Sequence, residues 1–332
     1  MTSFLQRHWF TLAIPTVVLC SKLDPRWMQS NGRLRAEQWK DGCVMTMFML
    51  SGLSIQGMQT LRHTLHAGGF RRHVAIQGFS LFAMPCIFAA TFPAVAKVVG
   101  FSSVLVSGTL FMACLPTTIG LGVVLTRAAG GDTTLAILHA VLGNSFGAAV
   151  PPCTSGFFSG MTMHIEPLAL AAKLVQLIFV PGALGMLLRA KAPAFAARHS
   201  AKFSPGQQLC LLLVLANVFA NCFSNPALVA SPDVTLPTVS KMLGVMAMYN
   251  LGLYATAWLL FSRGMLAMPL EMRIAACFCA TQKTAAMGVP LLSVMFQGDP
   301  NLALLMLPLL TYHPMQILCG SILGGKLKAL RR

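Results

Sequence analysis

Two apolar segments, at comparable places in the two halves of the chain, are each interrupted near the middle by a short polar stretch. The first runs from Ser103 to Thr126 and is broken at Leu115-Pro116-Thr117-Thr118; the second runs from Met272 to Val294 and is broken at Thr281-Gln282-Lys283-Thr284. Inside a bilayer an unwound stretch exposes backbone groups that hydrocarbon cannot satisfy, so it persists only against protein or beside a wet cavity. Matching interruptions in two halves therefore predict discontinuous helices of the kind that build transporter sites at the midplane, between inverted repeats.

The rest of the sequence fits an all-α polytopic membrane protein. Of 332 residues, 56% are hydrophobic and only 10% charged, and the apolar blocks recur from end to end. Ten transmembrane spans are expected, at 8–21, 41–56, 74–97, 102–126, 132–150, 168–189, 207–224, 237–262, 270–294 and 301–324. The block after Arg7 reads as a retained first helix and not a cleaved signal. The formal net charge is +16, but Lys and Arg sit mostly in connections and never form a basic helix with interleaved aromatics. That excludes nucleic acid as a partner and makes the charge a matter of orientation in the lipid bilayer. Sorting it by side puts both termini in the cytoplasm, with the loop around Arg26 to Lys40 as the dissenting region, and the plasma membrane is the expected location. The connection Pro151–Glu166 lacks Lys and Arg whereas Arg189–Pro205 is basic, which divides the chain into halves 1–160 and 161–332. Each half holds five spans with its fourth broken, and an odd number of spans makes the two topologies opposite.

Lys283 carries the strongest chemical signal. An ammonium at mid-membrane costs at least ~2.5 kcal/mol, so it must face water or a partner. Its own span holds no acidic residue except Glu271 at the edge. Two roles stay open and compatible: Lys283 meets a bound anion, or it pins the unwound carbonyls of the other broken helix. Pro116 removes a helix hydrogen bond, and Thr117 and Thr118 can return hydroxyls to the freed backbone. With Thr281, Gln282 and Thr284 they form the candidate substrate- or ion-binding set, and converging half-helix amino termini favour an anionic group. Gln77 and Asn144 join that set as intramembrane polar groups, although for them, as for His313, glue between helices is the default reading. His139 could relay protons but has no adjacent acid. The spacings Gly143 to Gly147, Gly156 to Gly160 and Gly320 to Gly324 suit close helix packing. Ten cysteines lie mostly inside apolar blocks without metal-type spacing, so neither metal nor cofactor is expected. There is no His-Glu-x-x-His, no Gly-x-Ser-x-Gly and no P-loop, which leaves an enzyme reading without support.

The strings LSGLSIQ (50–56), IQGFSLFAMP (76–85), LPTTIGLGVVLTRAAGGD (115–132), LGNSFGAAVPP (142–152), TQKTAAMGVPLL (281–292) and PLLTYHPMQILCGSILGG (308–325) resemble the SBF-like branch of the bile acid:sodium symporter superfamily. The resemblance implies ten helices in an inverted five-plus-five repeat, a panel domain, a core domain and two discontinuous helices crossing in the core. It also implies secondary transport of a small organic anion with room for a coupling ion. The sodium-coupled members have an acidic sodium ligand and a Ser-Asn pair where this chain has Phe278 and Leu121-Gly122, and their Asn position holds Lys283. Gln77 and Gln282 fall near the second sodium site. The resemblance thus points to a fixed ammonium in place of the first sodium ion. A membrane regulator of calcium homeostasis acting on another carrier, and a true sodium-coupled symporter, remain as alternatives.

Overall fold

The computed structural model describes residues 2–29, 31–54, 70–147, 172–226, 233 and 235–329. The connection Pro151–Glu166 and the Gly156–Gly160 pair lie outside them, as does the side chain of Asn144. Among the described residues there are twelve α-helices, two short 3-10 turns (Pro25–Trp27 and Gly264–Leu266) and no strand: α1 (Thr2–Leu23), α2 (Ala36–Ser54), α3 (Phe70–Val99), α4 (Ser103–Cys114), α5 (Ile119–Ala128), α6 (Thr133–Gly147), α7 (Ala172–Lys191), α8 (Pro193–Phe223), α9 (Leu236–Leu260), α10 (Leu270–Thr281), α11 (Ala285–Met295) and α12 (Leu302–Ala329). Five of them, α3, α7, α8, α9 and α12, are each long and apolar enough to cross a membrane.

The chain separates into two compact units. One contains 1–55, 163–234 and 289–306; the other contains 56–162, 235–288 and 307–332. Each unit draws on both sequence halves.

In the first unit, α2 packs on α7 and α8. Glycines permit the approach of α2 to α7: a Cβ on Gly52 would lie 2.2 Å from the Gly182 carbonyl oxygen, and one on Gly185 would lie 2.1 Å from that of Met49. Small residues that bring backbones together are the usual means of helix association in lipid, where apolar burial gives little drive. The opposite side of α7 leaves Val180, Leu184, Leu187 and Leu188 exposed, a surface suited to hydrocarbon. Helix α8 begins at Pro193, well before the apolar block that starts near residue 207, and so absorbs much of the basic stretch read as a connection. Pro193 supplies a pre-set first turn, and Ala196 and Phe203 bury against Leu53 with Leu50 alongside, so tertiary contact extends the helix beyond its hydropathy.

In the second unit, α3 contains a wider, π-type turn at Phe79–Ala83, just ahead of Pro85. There the Met84 N–H donates to the Phe79 carbonyl, one residue further back than in an α-helix. Helix α3 stops at Gly100, whose φ of 85° ends it in the left-handed region. Its C-terminal half stacks Phe88 on Tyr249 of α9 at 4.4 Å between centroids, and Thr91 Oγ1 lies 2.8 Å from the Tyr249 hydroxyl. Asp132 caps α6 by accepting from the N–H groups of Thr134 and Leu135, and its own N–H donates to the Glu271 carbonyl at the head of α10.

The glycine contact in the first unit generates a test. Gly185→Leu sets a side chain against backbone that cannot rotate away, and should destabilise the purified protein by about 3 kcal/mol, the upper part of the overpacking range. Gly244→Ala, whose new Cβ meets nothing within 4 Å, should be neutral or slightly stabilising. Thermal unfolding in detergent compares the two.

Candidate functional site

Both interrupted helices break where backbone bonding fails. Helix α4 ends at Cys114, Leu115 and Thr118 are extended, and α5 restarts at Ile119. Helix α10 ends at Thr281, Gln282 is extended, and α11 restarts at Ala285. The two interruptions meet within the second unit: the Thr284 N–H donates to the Pro116 carbonyl at 3.0 Å.

Lys283 sits at this meeting and is fully buried. Its ammonium donates to the Leu115 carbonyl at 2.6 Å and the Ser80 carbonyl at 2.6 Å, with Ser80 Oγ at 3.4 Å. Each carbonyl is available for a local reason. The Leu115 carbonyl closes the end of α4, where helical donors run out and the helix dipole favours a cation. The Ser80 carbonyl lies in the π-type turn of α3. The N–H four residues on belongs to Met84 and is spent on Phe79, and five residues on stands Pro85, which has no N–H. Three donors thus meet three acceptors, and the two short contacts to carbonyls are of the charge-assisted kind.

Gln316 of α12 grips the backbone of the same residue. Its Oε1 accepts from the Lys283 N–H at 2.9 Å, and its Nε2 donates to the Lys283 carbonyl at 2.8 Å. It also lies 3.0 Å from His313 Nδ1. One turn earlier the Tyr312 hydroxyl donates to the Thr281 carbonyl at 2.8 Å. Side chains of α12 thus satisfy the Thr281 carbonyl and both backbone groups of Lys283 in the unwound α10–α11 segment, as a broken helix in a membrane requires.

The other members of the predicted set divide. Thr281 is buried and spends its hydroxyl on the Cys277 carbonyl. Thr284 and Thr117 are buried, and Thr118 is half-buried at the start of α5. Gln282 is fully buried; neither its Oε1 nor its Nε2 reaches a hydrogen-bond partner, although Oε1 would lie 3.2 Å from a Cβ on Gly122 and the Tyr254 hydroxyl is a neighbour. Gln77 is held one helical turn from Ser80, where its Nε2 donates to the His139 carbonyl at 2.9 Å. Its Oε1 lies on the side of Gly143, whose Cβ would also touch Pro116 and Thr117. Asn144 is placed in α6 by its backbone alone. Gly288 lets α11 enter: a Cβ there would stand 2.3 Å from Leu115 Cδ1 and 2.6 Å from Leu309 Cδ2.

Sequence reasoning did not single out Gln316, Tyr312, Ser80 or His73. A glutamine inside the apolar run of α12 was the signal available for the first; Pro85, five residues past Ser80, was the signal for the third.

Gln316→Leu should orphan two buried backbone groups of Lys283 at about 1–3 kcal/mol each, hence about 2–6 kcal/mol in all. Tyr312→Phe removes one bond and should cost about 1 kcal/mol plus the orphaned carbonyl. Reversible unfolding in bicelles should rank Gln316→Leu as clearly the worse.

Comparison with known proteins accords with this architecture. The chain is 28% identical to sodium/bile acid cotransporter 7-B of Xenopus laevis, with 98% of this chain and 93% of that protein covered. It is 27% identical to sodium/bile acid cotransporter 7 of Rattus norvegicus, covering 98% and 94%. It is 22% identical to solute carrier RCH1 of Saccharomyces cerevisiae, covering 97% and 83%. The model of the SBF-like CPA transporter family matches residues 8–329, a stretch that includes both interrupted helices and every residue gripping Lys283, and the chain belongs to that family.

Proposed function

We propose that this protein is a secondary carrier of a small organic anion whose broken-helix pair is held by Lys283 and not by sodium at the first sodium site. The family is one of membrane transporters, and the chain is accordingly an integral membrane protein and not an enzyme. The observation that carries the finer reading is the ammonium clamped between the Leu115 and Ser80 carbonyls. Carbonyl oxygens that would otherwise recruit a cation already have one, covalently attached. Phe278, where the resemblance places an acidic ligand, is fully buried with its ring edge-on to Tyr254 at 5.7 Å, and supplies no oxygen.

The anion preference rests on charge. Helices α5 and α11 both begin at the meeting point, so their positive ends lie there together with Lys283. Thr117, Thr118, Thr281, Gln282, Thr284, Gln77 and Asn144 complete the proposed lining, with Gln282 the member that has buried amide groups still to satisfy. The relatives are named for sodium and bile acids, which supports an amphipathic anion as the first solute to try. The two compact units supply the panel and core of the resemblance, and the halves 1–160 and 161–332 the inverted repeats, with both termini cytoplasmic at the plasma membrane.

The test is uptake of radiolabelled taurocholate and a panel of smaller organic anions by liposomes containing only this protein. Uptake should proceed unaided, without stimulation by an inward sodium gradient. Lys283→Ala should reduce it by about 100-fold, since breaking a buried charged contact removes about 3 kcal/mol. Sodium-dependent uptake would return the first sodium site to the reading, and absence of uptake for every anion would favour a regulator of another carrier.

A further inference from the structure

The second unit contains a buried chain of polar side chains that the clamp does not use. His73 of α3 and His139 of α6 are both buried, and His73 Nδ1 lies 3.0 Å from His139 Nε2. His139 Nδ1 lies 3.2 Å from Gln77 Nε2, which also faces the His139 carbonyl at 2.9 Å. A carbonyl oxygen only accepts, so the Gln77 group beside it is the NH2, and its Oε1 lies on the side of Gly143, where an added Cβ would also touch Thr117. His73, Gln77 and Ser80 fall at i, i+4 and i+7 on α3 and share one face. The last of them holds the Lys283 ammonium.

This geometry fixes the protons of the neutral state. The Gln77 NH2 donates to His139 Nδ1, so His139 carries its hydrogen on Nε2 and donates it to His73 Nδ1, leaving the His73 hydrogen on its own Nε2. Every contact is then a donor facing an acceptor. A proton arriving from solvent can form its new N–H bond in two ways. It can bind His139 Nδ1 directly. Alternatively it binds His73 Nδ1, whereupon His139 must release Nε2 as an acceptor and take up its own hydrogen on Nδ1. Both routes end with a hydrogen on His139 Nδ1, opposed to the Gln77 NH2. Gln77 then has an acceptor and a donor where it had two acceptors, and it must rotate or withdraw, changing what it presents on the side of Gly143, next to the interruption.

We propose that His73 and His139 form a proton-binding site coupled through Gln77 to the interruption between α4 and α5, making the proton the ion to which this carrier responds. The inference deepens the carrier reading by naming its ion. The other titratable groups on the neighbouring elements have their own partners or positions. Asp132 caps α6, Arg72 donates to the Ala267 carbonyl, Arg273 donates to the Met268 carbonyl, and the Cys277 and Cys279 thiols face the Tyr254 and Ala136 carbonyls. Arg71 lies in the first turn of α3, Arg127 in the last turn of α5 and Glu271 in the first turn of α10, and Arg263 precedes the turn before α10. One added proton takes the imidazole pair from neutral to cationic.

Hydrogen–deuterium exchange of the full chain in nanodiscs tests this without any solute, so it fails or succeeds independently of taurocholate uptake. Exchange is compared at about pH 8 and about pH 4, the lower value well below the unperturbed imidazole pKa, after correction for the intrinsic pH dependence of amide exchange. Peptides spanning 112–119 should open about tenfold more at the lower pH, equivalent to about 1.4 kcal/mol of coupling. His139→Gln should abolish the difference. Gln77→Leu, which retains both imidazoles but cuts their link to the interruption, should abolish it too and serves where the histidine variant does not fold. Equal protection of 112–119 at both pH values in the unmodified protein, or an undiminished pH response in Gln77→Leu, overturns the proposal.

Discussion

The ammonium of Lys283, placed between the Leu115 and Ser80 carbonyls, is the contact on which the arrangement of the second unit depends. Two helices that lose their winding in a membrane leave carbonyls and N–H groups that lipid cannot answer. Each interruption here answers part of the other. Thr284 donates to Pro116, and the side chain of its neighbour crosses to Leu115. What remains is supplied by α12, through Gln316 and Tyr312. The second unit thus has a polar centre that is bonded almost throughout and surrounded by apolar packing, the condition under which buried polar networks rigidify a fold.

Much of this was legible because the signals are local. Pro116 cannot continue a helix with its own N–H, and a Gln-Lys-Thr run cannot face hydrocarbon, so both interruptions can be read to within a residue. Thr281 is the residue of difference: it remains the last of α10, its hydroxyl back-bonded to the Cys277 carbonyl. The early start of α8 was illegible from hydropathy, since the decision is made by Ala196 and Phe203 finding Leu53 in another helix.

The partners of the site were legible less often, and for a physical reason. Gln316 meets a backbone 33 residues away, and no periodicity within α12 says where that backbone will be. Ser80 contributes mainly a carbonyl, so its identity carries little information; the information is in Pro85, which leaves that carbonyl without a helical donor. His73 was overlooked because hydropathy starts the third span at residue 74, whereas α3 begins at Phe70 and brings the imidazole inside. His139, read alone, lacked an adjacent acid. Its actual neighbour is a second imidazole, which asks for one shared hydrogen where an acid would ask for charge separation.

A tethered cation has a consequence that a bound sodium ion does not. Sodium holds such a crossing only while it is bound, and its arrival and departure connect the structure to an ion gradient. Lys283 cannot depart, so its attraction for the two carbonyls is present throughout any cycle and by itself draws nothing from a gradient. A ligand or ion shifts a conformational equilibrium only by binding its two states differently. On the proposed reading the clamp is the fixed part, and the variable part must be a group whose occupancy changes beside it. The His73–His139 pair satisfies that description, since a single proton converts the Gln77 contact from complementary to opposed on the face of α3 that ends at Ser80.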